Sequence, residues 1–185
     1  MTRASVRSHR VLAIDPTNRG FGFAVLEGPT RLVDWGVKRV KGTNVNGACL
    51  AAVVRMMRWY EPDVLVLEDC GTRGARRRQR TSALIEDLAE LAERRQMRCS
   101  RVPWTTVREP CGNRPGATKE QIAAALATRF PELARHLPPH RKPWMSEDVR
   151  MSVFDAVALA VAWFHAHLTR GTYGVDRTAS VSHHQ

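Results

Sequence analysis

Long apolar runs are missing from this chain of 185 residues. No stretch approaches the roughly 18 apolar residues that a membrane span needs. The basic start, MTRASVRSHR, leads into only VLAI before Asp15 interrupts it, too short for the core of a signal peptide. Cysteine is scarce and scattered: Cys49, Cys70, Cys99 and Cys111 form no CxxC pair, so neither a zinc site nor a disulfide framework follows. The histidines show no metal spacing. There is no internal repeat, and the glycine motifs with which a sugar or acetate kinase would hold phosphate are lacking. Acidic residues are in deficit, 18 against 29 Lys and Arg, giving a net charge of +11. These absences predict a cytoplasmic protein with reduced thiols and no membrane contact, whose charge favours a polyanion, nucleic acid first.

What is present reads as one domain with a real core, since 43% of the residues are hydrophobic. Residues 10–15, 21–27 and 31–37 read as three strands with short connections, an antiparallel meander. Residues 46–60 have helical apolar spacing. EPDVLVLE (61–68) holds a continuous apolar strand of the kind covered on both faces. Residues 81–96 are an amphipathic helix with Thr81 or Ser82 as N-cap, and 97–103 a short strand. Residues 119–130 form a helix stopped by Pro131, and 146–168 a long helix begun at Ser146. Residues 1–9 are expected to be a flexible basic N-terminus, 10–168 the domain, and 169–185 a disordered tail. The order predicts an α/β fold, a mixed sheet with flanking helices.

Two strands, VLAID and VLVLE, each end on an acid. Side by side and parallel, they would bring Asp15 and Glu68 to the crevice where open sheets bind ligands. Asp155 lies within SVFDAVALAVA, a helix apolar enough to be mostly buried. Taken singly, each acid has a plainer reading: a turn former, an exposed strand end, or a partner for arginine. Together at the edge of a core they would repel one another unless a cation sat among them. Carboxylate oxygens suit Mg²⁺ or Mn²⁺, and two such ions can drive phosphodiester hydrolysis.

IDPTNRGFGFAVLE resembles the first motif of the RuvC-type Holliday junction resolvases of the RNase H-like superfamily, with Asp15, Pro16, Arg19 and Gly22 in the motif's places. LVLED is similar to the second acidic strand, KEQIAAAL to the family's lysine-bearing helix, and FDAVALAVA to its closing helix. The likeness spans roughly residues 10 to 165, in order. It implies a mixed five-stranded sheet, three antiparallel strands followed by parallel ones, flanked by helices. It also implies Asp15, Glu68 and Asp155 as metal ligands around two ions, Lys119 near the scissile phosphate, Arg108 as a further basic residue, and a homodimer that nicks both strands of a four-way junction. The sequence departs from the pattern at Thr17, where the family has Gly, and at Ser152, where resolvases commonly carry a fourth ligand. Asp148 could replace it only if the last helix starts late or bends near Met151, because seven residues of unbroken helix span about 10 Å.

GTRGARRRQR (71–80) follows Glu68 directly. Arg73, Arg76, Arg77, Arg78 and Arg80 are read as phosphate contacts beside the acids, or else as a solvated surface run. The loop contains no aromatic wedge of the kind resolvases use to open a junction. Trp144, in LPPHRKPWM, either stacks on nucleic acid or tucks into the core. The expected activity is a divalent-metal-dependent endodeoxyribonuclease acting on branched DNA. Two alternatives stand beside it: the same fold acting on RNA or serving a mobile element, and a nucleic-acid-binding protein with a degenerate metal site.

Overall fold

A computed structural model describes residues 9–71, 79–111, 116–139, 144 and 146–172. Five strands form one mixed sheet: β1 (Arg10–Thr17), β2 (Gly20–Glu27), β3 (Arg31–Arg39), β4 (Val64–Glu68) and β5 (Arg98–Val102), in the order β3-β2-β1-β4-β5. The first three pair antiparallel, while β1–β4 and β4–β5 are parallel. This is the expected topology. Its parallel half follows from the helices that intervene, because parallel neighbours need a crossover. Helix α1 (Val45–Tyr60) carries the chain from β3 to β4, and α2 (Gln79–Arg94) from β4 to β5.

The period of two along each strand divides the core. Leu12, Ile14, Leu65 and Leu67 pack with α1 and α2 on one face, while Val11, Ala13, Val64 and Val66 pack on the other. That second face is covered by α3 (Lys119–Arg129), a 3₁₀ turn at Pro131–His136, and α4 (Met151–Thr172). Pro131 therefore ends α3 as expected, and the chain continues at once in the tighter helix. Contrary to the expectation that no run could span a membrane, Met151–Leu168 is long and apolar enough to do so, but 78% of it is buried inside the fold. Its apolar character serves the core. None of the four cysteines forms a disulfide among the described residues, and burial pushes the Cys111 thiol up to about 12, far from reactivity.

Several boundaries differ from expectation, among them the start of α2 and both ends of α4. Helix α2 starts at Gln79, so Thr81 is not its cap but a buried residue of its first turn. Helix α4 continues to Thr172, past residue 168. It also starts at Met151 rather than Ser146. There the Asp148 side chain accepts the Arg150 backbone N–H at 2.9 Å, a local bond that competes with helical geometry. The N–H groups of residues 151, 152 and 153 then bond three residues back, to 148, 149 and 150.

Away from that end, Tyr60 closes α1 by donating its hydroxyl proton to the Asp34 carboxylate on β3. Partial burial first, then this bond and the Asp34 charge, hold the phenol up to about 12. Tyr60→Phe is expected to cost about 1 kcal/mol of stability. The wild-type advantage should be complete below pH 10 and disappear as pH rises from about 10 towards 12, where the folded phenol finally ionises. Denaturant melts of both proteins at pH 8 and pH 11 check it. An equal gap at both values would rule the bond out as its source.

Candidate active site

At the C-terminal ends of β1 and β4 the parallel register pairs Ala13 with Val66. Continued by two residues, it sets Asp15 level with Glu68. By strand alternation both side chains point to the α4 face, in phase with Val11, Ala13, Val64 and Val66. Helix α4 crosses that face and brings Asp155 down onto it. The three acids are 5%, 6% and 4% exposed, and all line one cleft of about 820 Å³. The local sequence supports this arrangement: the apolar runs that bury the strands stop where the acids begin, and Gly22 of β2 lets α4 approach closely enough to present Asp155.

Lys119 supplies the opposing charge. A capping box sets it at the first position of α3: the Thr118 hydroxyl accepts the Gln121 N–H, and the Gln121 side chain accepts the Thr118 N–H. Its ammonium donates to Asp155 Oδ2 at 2.6 Å, lies 3.2 Å from Glu147 Oε1, and sits 5.3 Å from the centre of the Trp104 ring. Burial pulls the lysine pKa down, but Asp155 and then Asp15 outweigh it and hold the pKa above the ordinary lysine range. Burial, with the Asp15 charge next, raises the Asp155 carboxyl to about 7 against the pull of Lys119. The Asp15 charge thus opposes ionisation of Asp155, the electrostatic condition that an added cation relieves. Among the described residues no three His, Cys, Asp or Glu side chains converge into a closed ion cage; the Lys119 ammonium lies among the acids instead. The donor set is nevertheless of hard carboxylate oxygens on one cleft wall, which fits Mg²⁺ or Mn²⁺.

The other expected site residues are distributed unevenly. The late start of α4 brings Asp148 into the cleft lining, as its inclusion required. Its carboxylate, however, is held by Arg150, whose Nη2 donates at 2.6 Å and Nε at 3.0 and 3.2 Å, and which keeps it below the usual carboxylate range. Ser152 also lines the cleft, with its hydroxyl donating to the Val149 carbonyl at 2.6 Å. Arg80 is tied into the fold, one Nη donating to Asn46 Oδ1 at 2.8 Å and the other to the Thr17 carbonyl. Arg108 does not line the cleft, and its Nε is buried without a partner. Arg73, Arg76, Arg77 and Arg78 lie outside the described residues. Trp144 is 78% exposed, which removes the core reading of that residue. Cleft residues that the sequence reading did not place at the site include Arg39, Thr81, Trp104 and Glu147. Glu147 sits in an irregular segment, where no periodicity marks a functional acid.

No protein-family model matches the chain, and no curated protein matches it. Among solved structures it is similar to RuvC of Thermus thermophilus, at 17% identity and a TM-score of 0.62, covering 86% of this chain and 96% of that one. The yeast mitochondrial Holliday junction resolvase follows the same course at 11% identity and a TM-score of 0.59, over 90% of this chain and 82% of that one. The fowlpox virus resolvase, in complex with substrate Holliday junction DNA, does so at 13% identity and a TM-score of 0.52, over 86% and 99%. The chain has the RNase H-like α/β fold. Its five-stranded sheet and flanking helices are similar in fold to those of these three resolvases.

Proposed function

We propose that this protein is a divalent-metal-dependent endonuclease that cuts branched DNA, resolving four-way junctions. The reading is carried by one observation: Asp15, Glu68 and Asp155 are buried on a single wall of one cleft with the Lys119 ammonium among them, in a fold shared with junction resolvases. Asp15, Glu68 and Asp155 would hold two Mg²⁺ or Mn²⁺ ions, which when bound supply an activated water and stabilise the leaving oxygen. Lys119, held by acids and by the face of Trp104, neutralises charge that builds on the scissile phosphate. Arg19 and Arg39 give the cleft a basic rim that orients the neighbouring phosphates. Two copies of the chain, one per cut strand, match the symmetry of a junction, and cysteines outside any disulfide suit a cytoplasmic setting.

The experiment is cleavage of a labelled four-way DNA junction, a linear duplex and a structured RNA, each with Mg²⁺ or Mn²⁺. Paired nicks confined to the junction are expected. Cutting of RNA instead would move the substrate, and tight junction binding with no cutting of anything would mark the site as degenerate.

The arginine loop has its own expected result. Replacing Arg73, Arg76, Arg77 and Arg78 with glutamine should reduce the slope of log K against log salt by roughly 4, about one per lost phosphate contact. Arg80→Gln should leave the slope unchanged, because its guanidinium is engaged by Thr17 and Asn46. Binding titrations between 50 and 300 mM salt, on the order of the range where such slopes are read, check both.

A further inference from the structure

Two carboxylates, those of Glu147 and Asp155, lie within 3.2 Å of the Lys119 ammonium. Ser152 occupies the helical position one turn before Asp155, and its hydroxyl proton is given to the Val149 carbonyl. Asp148 reaches the same cleft but carries three charge-assisted bonds from the Arg150 side chain. Drawing it away would leave Arg150 without that partner. Glu147 is differently placed. It lies in the irregular segment before α4, its side chain is 49% exposed, and its Oε1 is 3.2 Å from Lys119 Nζ, which is itself 2.6 Å from Asp155 Oδ2. One ammonium therefore spans the Glu147 and Asp155 carboxylates.

Resting on the metal-dependent reading above, we propose that Glu147 is a metal ligand of this chain: it and Asp155 hold one divalent ion between them, and that ion competes with the Lys119 ammonium for the place. A cation coordinated at about 2.1 Å by each oxygen draws in the same two carboxylates that the lysine now bridges. The longer glutamate side chain, starting from an irregular segment rather than a helix, reaches an ion that serine one helical turn away does not ligate well. Ion loading then frees Lys119 from Asp155 to face the substrate phosphate.

The test is isothermal calorimetry of the full chain with MnCl₂ and no DNA, comparing wild type, Glu147→Gln, Asp148→Asn and Lys119→Met, with circular dichroism melts to show that each variant is folded. Glu147→Gln should lose one bound ion or weaken one site at least tenfold. Asp148→Asn should bind as wild type does, and Lys119→Met should bind Mn²⁺ more tightly. A Glu147→Gln isotherm that overlays a wild-type isotherm with clear binding overturns the role of Glu147 and leaves the metal-dependent reading intact. Loss of binding in Asp148→Asn but not in Glu147→Gln would do the same and transfer the ligand to Asp148. Weaker binding in Lys119→Met would overturn the competition. No Mn²⁺ binding by wild type would overturn the metal-dependent reading and this inference together.

Discussion

Asp15→Asn should reduce junction cleavage by roughly 10²–10³, the loss that follows removal of one group stabilising charge in a transition state, while junction affinity changes by less than about threefold. The separation of the two effects is the informative part. Asp15 is buried beside Asp155 on the α4 face of the sheet, whereas affinity for a phosphate backbone is carried by positive charge. Asparagine keeps the shape and one acceptor oxygen, so the strand end is not disturbed. It removes the negative charge that, with Asp155, balances Lys119. Single-turnover cleavage and equilibrium binding of the same labelled junction measure the two quantities. Cleavage at the wild-type rate would eliminate the proposed chemistry, and a parallel collapse of binding would recast Asp15 as a structural residue.

Gly22→Ala is expected to destabilise the protein by about 3 kcal/mol, the upper part of the range for overpacking a core. An added Cβ at Gly22 would lie 2.5 Å from Ser152 Oγ and closer still to the Ser152 carbonyl carbon and oxygen. Rotation of the serine hydroxyl could relieve only the first of these contacts. The others are backbone, so either β2 or the start of α4 must move. For a domain of this size 3 kcal/mol lowers Tm by roughly 6–12 °C. Because Ser152 stands one turn before Asp155, movement of α4 also carries Asp155 away from Asp15, and cleavage by the remaining folded protein should fall. A thermal melt within 2 °C of wild type, about the shift from a mild surface change, would mean that the contact between β2 and α4 relaxes at little cost.

The pairing of these two results separates chemistry from architecture. Asp15→Asn should leave Tm nearly unchanged and cut turnover directly, whereas Gly22→Ala should lower Tm first and turnover as a consequence. A glycine in IDPTNRGFGFAVLE is thus required by the distance between a strand and a helix far apart in the chain. Its own φ does not demand it: the positive-φ glycines of the described residues are Gly20, Gly28, Gly36, Gly42 and Gly116.

Sequence alone determined those features that depend on short-range pattern. The strands VLAID and VLVLE, their terminal acids, the mixed order of the sheet and the buried character of the last helix all follow from periods of 2 and 3.6 and from uninterrupted apolar runs, which act over a few residues. These features sufficed to nominate Asp15, Glu68 and Asp155, the family resemblance added Lys119, and the structure brings all four into one cleft. What required the tertiary structure was every question about competition between nearby partners. The start of α4 is set at Met151 because the Asp148 side chain takes the Arg150 N–H, a local bond with no hydrophobic period to announce it. Arg150 against open cleft for Asp148, and the fold against phosphate for Arg80, are choices between interactions of similar strength, decided by which groups the packed chain brings within about 3 Å. Glu147 was invisible for the same reason: an acid in an irregular segment acquires meaning only when α3 places Lys119 beside it, 28 residues away in sequence and 3.2 Å away in space.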